Sequence, residues 1–448
     1  MLKRLLFIFA FLIAFTNYAQ SGFEIKKNRN KVVIPFKLIN NLVFIPIKLN
    51  GEELTFLLDT GVEETILFSV NDNSELTLND VEVIKLKGLG NSDAINGYKS
   101  SKNEINIKQF VDSNHSLYIV LDQEFNFSSQ VGIPVNGILG YHFFKNNLVK
   151  IDYGKRKIYV YKKGHKVYRQ LLNTYKKDSL IIDFNKPYVF ETITNKGVKK
   201  YSKLLIDSGN SESVWVFNKD KVLIPMSDHY LEDFLGRGFN GDVFGKRSRI
   251  EQIEFGGHQF KEVITNFPDS ISTKSVNLVD HRVGSIGGEI LSRFTLFFDY
   301  PNNVMYTKPN VTVDDPFNFN MSGIEVEHTG LQWIKEEYSS AKDGITIYTN
   351  TRASDYGTIN ENYQNSLKTR FSLVPVFKIL SVRPNSEAEI AGLKRGDKII
   401  SINNKNADRL SIQKIHELLK SGEGRTIQMK VERNGIEMKI KFQLKKVL

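Results

Sequence analysis

The sequence predicts a mostly β protein built as two β units of similar size in tandem, followed by a smaller α+β module. Three observations carry that expectation. Landmarks in the first third of the chain recur in the second third at a nearly constant spacing. Both stretches are rich in short runs of Val, Ile, Phe and Leu, with little long helical periodicity. After Asn310 the repeat stops and a different pattern takes over. With 448 residues, 41% hydrophobic and 25% charged, the chain can fill several cores and has the balance of a soluble globular protein.

The repeat is held by several independent landmarks. Asp59-Thr60-Gly61 returns 148 residues later as Asp207-Ser208-Gly209, each after an apolar run, Phe56-Leu57-Leu58 and Leu204-Leu205-Ile206. Gly88, Gly90, Gly97 and Ser100 return at the same spacing as Gly236, Gly238, Gly245 and Ser248. Gly137-Ile138-Leu139-Gly140 returns as Gly284-Ser285-Ile286-Gly287, and Asp152-Tyr153 as Asp299-Tyr300, both at a spacing of 147. One register kept at all of these points implies duplicated structural units. Lys31–Leu49 reads as strand, Lys157–Tyr161 and Asn303–Thr307 read as closing strands, and the regular spacing of short strands suggests small barrels or sandwiches.

The N-terminus has a short basic start, Met1–Arg4, an apolar run from Leu5 to Phe15, and Ala19 as a cleavage point. Residues 1–19 therefore read as a secretory signal peptide. The run is short for a membrane span and no later stretch approaches spanning length. A periplasmic or secreted protein is expected, with no integral membrane segment after signal cleavage. Cysteine is absent, which excludes disulfides, thiolate catalysis, Cys-based zinc sites and a lipid anchor on a cleavage-point cysteine. The formal charge of +11 is spread along the chain and reads as a basic, solvated surface.

The two acidic triplets carry the chemistry. A carboxylate at the end of an apolar strand is costly to bury alone. Two of them brought together across a pseudo-twofold axis share one proton, because like charge raises the proton affinity of one. The ionised member then takes a proton from a water between them, and the protonated member polarises a carbonyl. That division of labour is the one expected of Asp59 and Asp207. Gly61 and Gly209 leave room for two loops to approach, and the Thr60 and Ser208 hydroxyls can reach across to the opposite loop.

The stretch Phe56-Leu57-Leu58-Asp59-Thr60-Gly61-Val62, with Asn136-Gly137-Ile138-Leu139-Gly140 downstream, resembles a retropepsin-like aspartic protease lobe. Leu205-Ile206-Asp207-Ser208-Gly209-Asn210, with Gly284–Gly287, resembles a second lobe. The resemblance implies two acid-protease β-barrel lobes, residues 20–165 and 166–312, with Asp59 and Asp207 as the catalytic pair in a cleft between them. It also implies that Ile138-Leu139-Gly140 and Ile286-Gly287 pack beneath the Asp loops, with Ser285 a departure from the apolar pattern. A hairpin over the cleft is expected near Gly88, Gly90 and Gly97, with its echo near Gly236, Gly238 and Gly245. Val62-Glu63, followed by Glu64, replaces the small pair usual after the first triplet, which bears on cleft shape and on the pair's proton affinity.

From about residue 313 the signals change. Pro384–Leu393 reads as a short helix stopped by Gly392. Ile412, Ile415, Leu418 and Leu419 lie on one face of a second helix. Asn434-Gly435 joins two alternating strands, Ile427–Val431 and Ile436–Leu444. The core Ala391-Gly392-Leu393-Lys394-Arg395-Gly396-Asp397-Lys398-Ile399 resembles a PDZ domain, over residues 313–448 with an insertion at about 336–370. The resemblance implies a carboxylate-binding loop and first strand at Met321–Val326. A groove lined by Ser322, Gly323, Ile324, Ile412 and Ile415 would then take a peptide C-terminus or an extended segment by strand addition.

Other motifs fail on context. Gly236–Gly241 fits the dinucleotide fingerprint, but strand-like residues follow it where a helix is required. His416-Glu417 opens like a zinc-protease helix, but Lys420 stands where the second His is needed. No cofactor, no metal and no nucleic-acid partner are expected. The reading is an aspartic endopeptidase acting on a peptide or protein substrate. The alternatives are an inactive peptide-binding protein that uses the same cleft and groove, and a surface scaffold for acidic polymers.

Overall fold

The computed structural model describes residues 22–26, 28–70, 75–86, 95–120, 127–217, 224–238, 241–270, 279–339, 348–349 and 367–448. The expected signal peptide, Gly88, Gly90 and most of the 336–370 insertion lie outside the described residues. Among the described residues no helix is long and apolar enough to cross a membrane.

The first lobe contains β1 (Lys31–Pro35), β2 (Leu42–Leu49), β3 (Glu52–Leu58), β4 (Ile66–Leu67), β5 (Val81–Leu86), β6 (Ile95–Ile107), β7 (Phe110–Val120), α1 (Phe127–Val131), β8 (Gly137–Leu139), β9 (Leu148–Asp152) and β10 (Lys157–Tyr161). The second begins with α2 (Val167–Thr174) and continues through β11 (Lys186–Asn195), β12 (Val198–Asp207), β13 (Val214–Val216), β14 (Tyr230–Gly238), β15 (Gly241–Phe255), β16 (His258–Pro268), β17 (Arg282–Gly287), β18 (Phe294–Asp299) and β19 (Val304–Pro309). The hairpin joining β2 to β3 turns at Asn50-Gly51, and that joining β11 to β12 at Lys196-Gly197; φ is positive at both residues of each pair. Such turns match the twist of the strands they connect.

The repeat seen in the sequence is a repeat of topology. In lobe 1 the sheet runs β2, β3, β8, β4 in spatial order, and in lobe 2 β11, β12, β17, β13. The strand that ends in each Asp pairs in parallel with the strand carrying the downstream glycine element. Leu57 lies opposite Ile138 and Leu58 opposite Leu139; Ile206 lies opposite Ile286 and Asp207 opposite Gly287. A second, six-stranded sheet joins the lobes, with three strands from each. Its central pair is β9 against β18, with Lys150 opposite Phe297. Buried side chains on it, among them Val149, Ile151, Leu296 and Phe298, make one continuous core with both lobes. Burial of this apolar area is the main force fixing the lobes relative to each other.

The C-terminal module holds β20 (Ile324–Ser339), β21 (Leu367–Val382), α3 (Glu387–Ile390), β22 (Lys398–Ile402), α4 (Ile412–Leu419), β23 (Thr426–Arg433) and β24 (Ile436–Gln443). Both helices are capped as sequence chemistry dictates: Ser386 Oγ accepts from the Glu389 amide and Ser411 Oγ from the Lys414 amide. Gly392 has φ +96°, past the end of α3. Asp397 is buried and gripped by two Arg433 hydrogen bonds of 2.6 and 2.7 Å. Part of the polar stretch read as an insertion instead extends the sheet, since β20 runs on to Ser339 and pairs with β21 as far as Leu367.

Candidate active site

The Asp59 and Asp207 loops meet at the junction of the two lobes through four reciprocal hydrogen bonds. The Thr60 hydroxyl donates to the Ile206 carbonyl at 2.6 Å and accepts from the Ser208 amide at 3.0 Å. The Ser208 hydroxyl donates to the Leu58 carbonyl at 2.9 Å and accepts from the Thr60 amide at 3.0 Å. Thr60 and Ser208 are fully buried, so no water competes for these bonds.

The glycines set how closely the carboxylates lie. A methyl group at Gly61 would sit 2.7 Å from Asp207 Oδ1 and 3.1 Å from Asp59 Oδ1, so both carboxylates border one point. A methyl group at Gly209 would overlap the Asp59 carboxylate. The Gly61 amide donates to Asp59 Oδ1 at 2.7 Å. Beneath the first loop, the Asp59 amide donates to the Leu139 carbonyl at 3.0 Å, and Gly140 leaves room for the Val62 carbonyl. Beneath the second, the Gly287 amide donates to the Ser213 carbonyl at 2.8 Å.

Burial pushes the Asp59 carboxyl up to about 8, with the neighbouring Asp207 charge adding to the effect. Burial also raises Asp207, but Arg282 and the Gly209 amide oppose this. Both carboxyls thus hold protons more tightly than an exposed carboxylate, and the two titrate as a pair.

Glu63 and Glu64 are both engaged away from the pair. Glu63 Oε1 accepts from Asn185 Nδ2 of the second lobe at 2.8 Å, and Glu64 lies 3.3 Å from His142 Nε2. His142 holds the Glu64 carboxyl below its ordinary range. Sequence reading missed these cross-links because both partners are remote in the chain. It also missed a buried chain beside the first loop: Asp112 Oδ2 to His115 Nδ1 at 2.8 Å, and His115 Nε2 to Thr65 Oγ1 at 2.7 Å. Those residue types could make a nucleophile, but Thr65 is fully buried, closed off from solvent. The chain instead anchors the segment that follows Asp59.

Leu235 and Gly236 of β14 and Val243 of β15 line a cavity together with Asp207, Trp215 and Arg282. The hairpin expected around Gly236, Gly238 and Gly245 is formed by β14 and β15, and it borders this cavity through Leu235, Gly236 and Val243. Gly97 lies in β6 opposite Ile84 of β5, in the matching hairpin of lobe 1. In the C-terminal module, the Met321 amide donates to the Leu419 carbonyl at the end of α4. This brings Ser322, Gly323 and Ile324 beside the helix that carries Ile412 and Ile415. The Ser322 hydroxyl donates to Asn320 Oδ1 at 2.5 Å and accepts from the Ile324 amide at 3.2 Å. α1 of the first lobe packs on β20 and α4, and a methyl group at Gly132 would lie 3.1 Å from Ile412. Among the described residues no group of three or more His, Asp or Glu is arranged to hold a metal ion.

A PDZ domain family model matches residues 378–433, the segment holding the end of β21, α3, β22, α4 and β23. No curated protein matches the chain. Among solved structures, an aspartic proteinase from Irpex lacteus is similar with a TM-score of 0.40 and 9% identity, over 64% of this chain and 99% of that one. Conglutin gamma, a basic 7S globulin from lupine seeds, has a TM-score of 0.38 and 10% identity, over 63% of this chain and 95% of that one. What the chain is shown to contain is therefore a mostly β, two-lobed body followed by a C-terminal PDZ domain.

Proposed function

We propose that the chain is an aspartic endopeptidase that hydrolyses peptide bonds with a water activated between Asp59 and Asp207. The observation that carries this is the pair of carboxylates bordering one point at Gly61, with their loops locked by the Thr60–Ser208 exchange. Asp207, kept ionised beside Arg282, takes a proton from the water as its oxygen bonds to the substrate carbonyl carbon. Protonated Asp59 donates to the carbonyl oxygen, giving a neutral gem-diol. Asp207 then passes its proton to the amide nitrogen, the C–N bond breaks, and Asp59 recovers a proton from the diol as the new carboxyl group forms. The glycines and crossed hydroxyls supply preorganisation, since neither loop can shift without breaking two buried hydrogen bonds. A statine-containing peptide mimics the tetrahedral state. It is expected to bind the purified chain tightly and to lose at least 100-fold in affinity to Asp207→Asn; equal affinity for both would contradict the assignment.

We assign the PDZ module a part in holding the cleft. Arg383 Nη2 bonds Asp233 of the cleft hairpin at 2.9 Å, and Arg247 beside it bridges Asp233 and Glu212. His416 Nδ1 lies 3.3 Å from Asn40 of the first lobe. A peptide entering the groove between β20 and α4 competes with α1, so capture there is coupled to the lobe contact.

A further inference from the structure

Resting on the peptidase reading, the geometry points to Arg282 as an anion-recognising residue of the cleft: it selects peptides that carry a carboxylate beside the bond placed at Asp59 and Asp207.

The first support is position. Arg282 opens β17, the strand that pairs with the Asp207 strand, and it shares the cavity wall with Asp207, Trp215 and Phe217. The second is the repeat. At the spacing of 147 residues that relates the two glycine elements, Arg282 corresponds to Val135, which is fully buried in lobe 1. The same fold position is thus satisfied by a valine, so the topology does not require a cation there.

The third is how the side chain is held. Arg282 Nε donates to the Gly284 carbonyl at 3.2 Å, and the guanidinium stacks over the Phe217 ring at 5.0 Å. Those contacts fix the plane of the group; Tyr188 lies beside it, and the carboxylate whose charge it feels is Asp207 of the pair itself. Among the described residues no carboxylate lies within ion-pair distance of it; the nearby Asp183 is taken by Lys203 at 2.9 Å. Burial disfavours the charged form of Arg282, so the cation is retained against a cost. A planar guanidinium matches a carboxylate in two parallel hydrogen bonds, and desolvation in the cleft strengthens them. The carboxylate comes either from an Asp or Glu side chain or from the free C-terminus of a peptide. Apolar Trp215 and Phe217 would pack on the methylenes leading to it.

The test uses matched peptides with Glu, Gln or Lys at each position flanking the cleaved bond, and a set ending there in a free or an amidated C-terminus. Hydrolysis is measured with the wild type, Arg282→Gln and Arg282→Glu. Binding is measured in parallel in an Asp59→Asn background, so that recognition is read without turnover. At one position Glu is expected to exceed Gln by about 10- to 100-fold in affinity, the range of a charge-assisted hydrogen bond. That preference should vanish in Arg282→Gln and turn toward Lys in Arg282→Glu. A preference confined to free C-termini assigns the site to chain ends, and one confined to internal Glu assigns it to side chains. Equal or absent binding of all Glu, Gln and free-terminus peptides overturns the inference. So does an equal loss in Arg282→Gln for every peptide with only the acid limb of the pH profile moved, which would mean that Arg282 merely keeps Asp207 ionised. Selective binding with no hydrolysis by any form would sink the peptidase reading and leave Arg282 standing. Hydrolysis without selectivity would do the reverse.

Discussion

Thr60 and Ser208, 148 residues apart, each use one hydroxyl to satisfy both a carbonyl and an amide of the other's loop. Thr60→Ala removes the hydroxyl and leaves the Ile206 carbonyl and the Ser208 amide buried without that partner. The expected loss is about 2–4 kcal/mol of stability, from the cost of orphaned buried groups. Thr60→Ser keeps the hydroxyl and should lose less than about 1.5 kcal/mol, a methyl-sized change. Urea denaturation of the two variants checks both figures.

Gly209→Ala tests the closeness of the loops. Gly209 is not in the left-handed region, so its backbone tolerates alanine, but the added methyl overlaps the Asp59 carboxylate. Turnover should fall at least about 100-fold from misplacement of the pair. A variant that stays folded by circular dichroism and keeps wild-type kcat would show that the carboxylate spacing is not what matters.

The raised proton affinity of Asp59 has a definite sign for stability. In the unfolded chain the group titrates near 3.8, and in the fold near 8. The protonated form is thus favoured by folding. Its contribution is complete below about pH 4 and is lost as pH rises through about 8. Asp59→Asn removes that loss, so the variant should melt several degrees above wild type at pH 9, and the two should converge below about pH 4. Calorimetry across this range reads the crossover. The alkaline limb of the activity profile should fall at the same place, near pH 8.

Glu63 follows the Asp59-Thr60-Gly61 triplet closely, yet its carboxylate bonds Asn185. Glu63→Gln retains an acceptor for that bond, so kcat/KM should stay within about 3-fold of wild type, a change below 1 kcal/mol. A loss of 100-fold or more would place Glu63 in the electrostatics of the pair.

Arg383→Ala should loosen the PDZ module from the second lobe. Asp233 keeps its bond from Arg247, so the expected cost is about 1–3 kcal/mol rather than the full cost of stranding a buried charge. Hydrogen exchange in β14 and β15 should rise with little change elsewhere.

Most of the architecture was legible because it is periodic. The triplets and glycine elements repeat, and repeated sequence folded into repeated topology down to the parallel pairing of Leu57 with Ile138 and Leu205 with Ser285. The PDZ core was legible through Gly396-Asp397, whose Asp is buried against Arg433. What the sequence hid are contacts between segments remote in the chain. The Glu63–Asn185 bond, the Asp112–His115–Thr65 chain and the packing of α1 on α4 have no local pattern. Arg282 was hidden for another reason: one arginine among 61 basic residues has no distinction until the repeat is laid over the fold and its counterpart proves to be Val135.

The central claim is best tested by incubating a diverse peptide library with the purified chain, Asp59→Asn and Asp207→Asn, from pH 3 to pH 9, and reading products by mass spectrometry. The account predicts internal cleavage by the wild type that both variants lose by at least about 1,000-fold, as expected when a general acid or base is removed. Cleavage that persists in either variant, or a folded wild type that cleaves nothing at any pH, would contradict it.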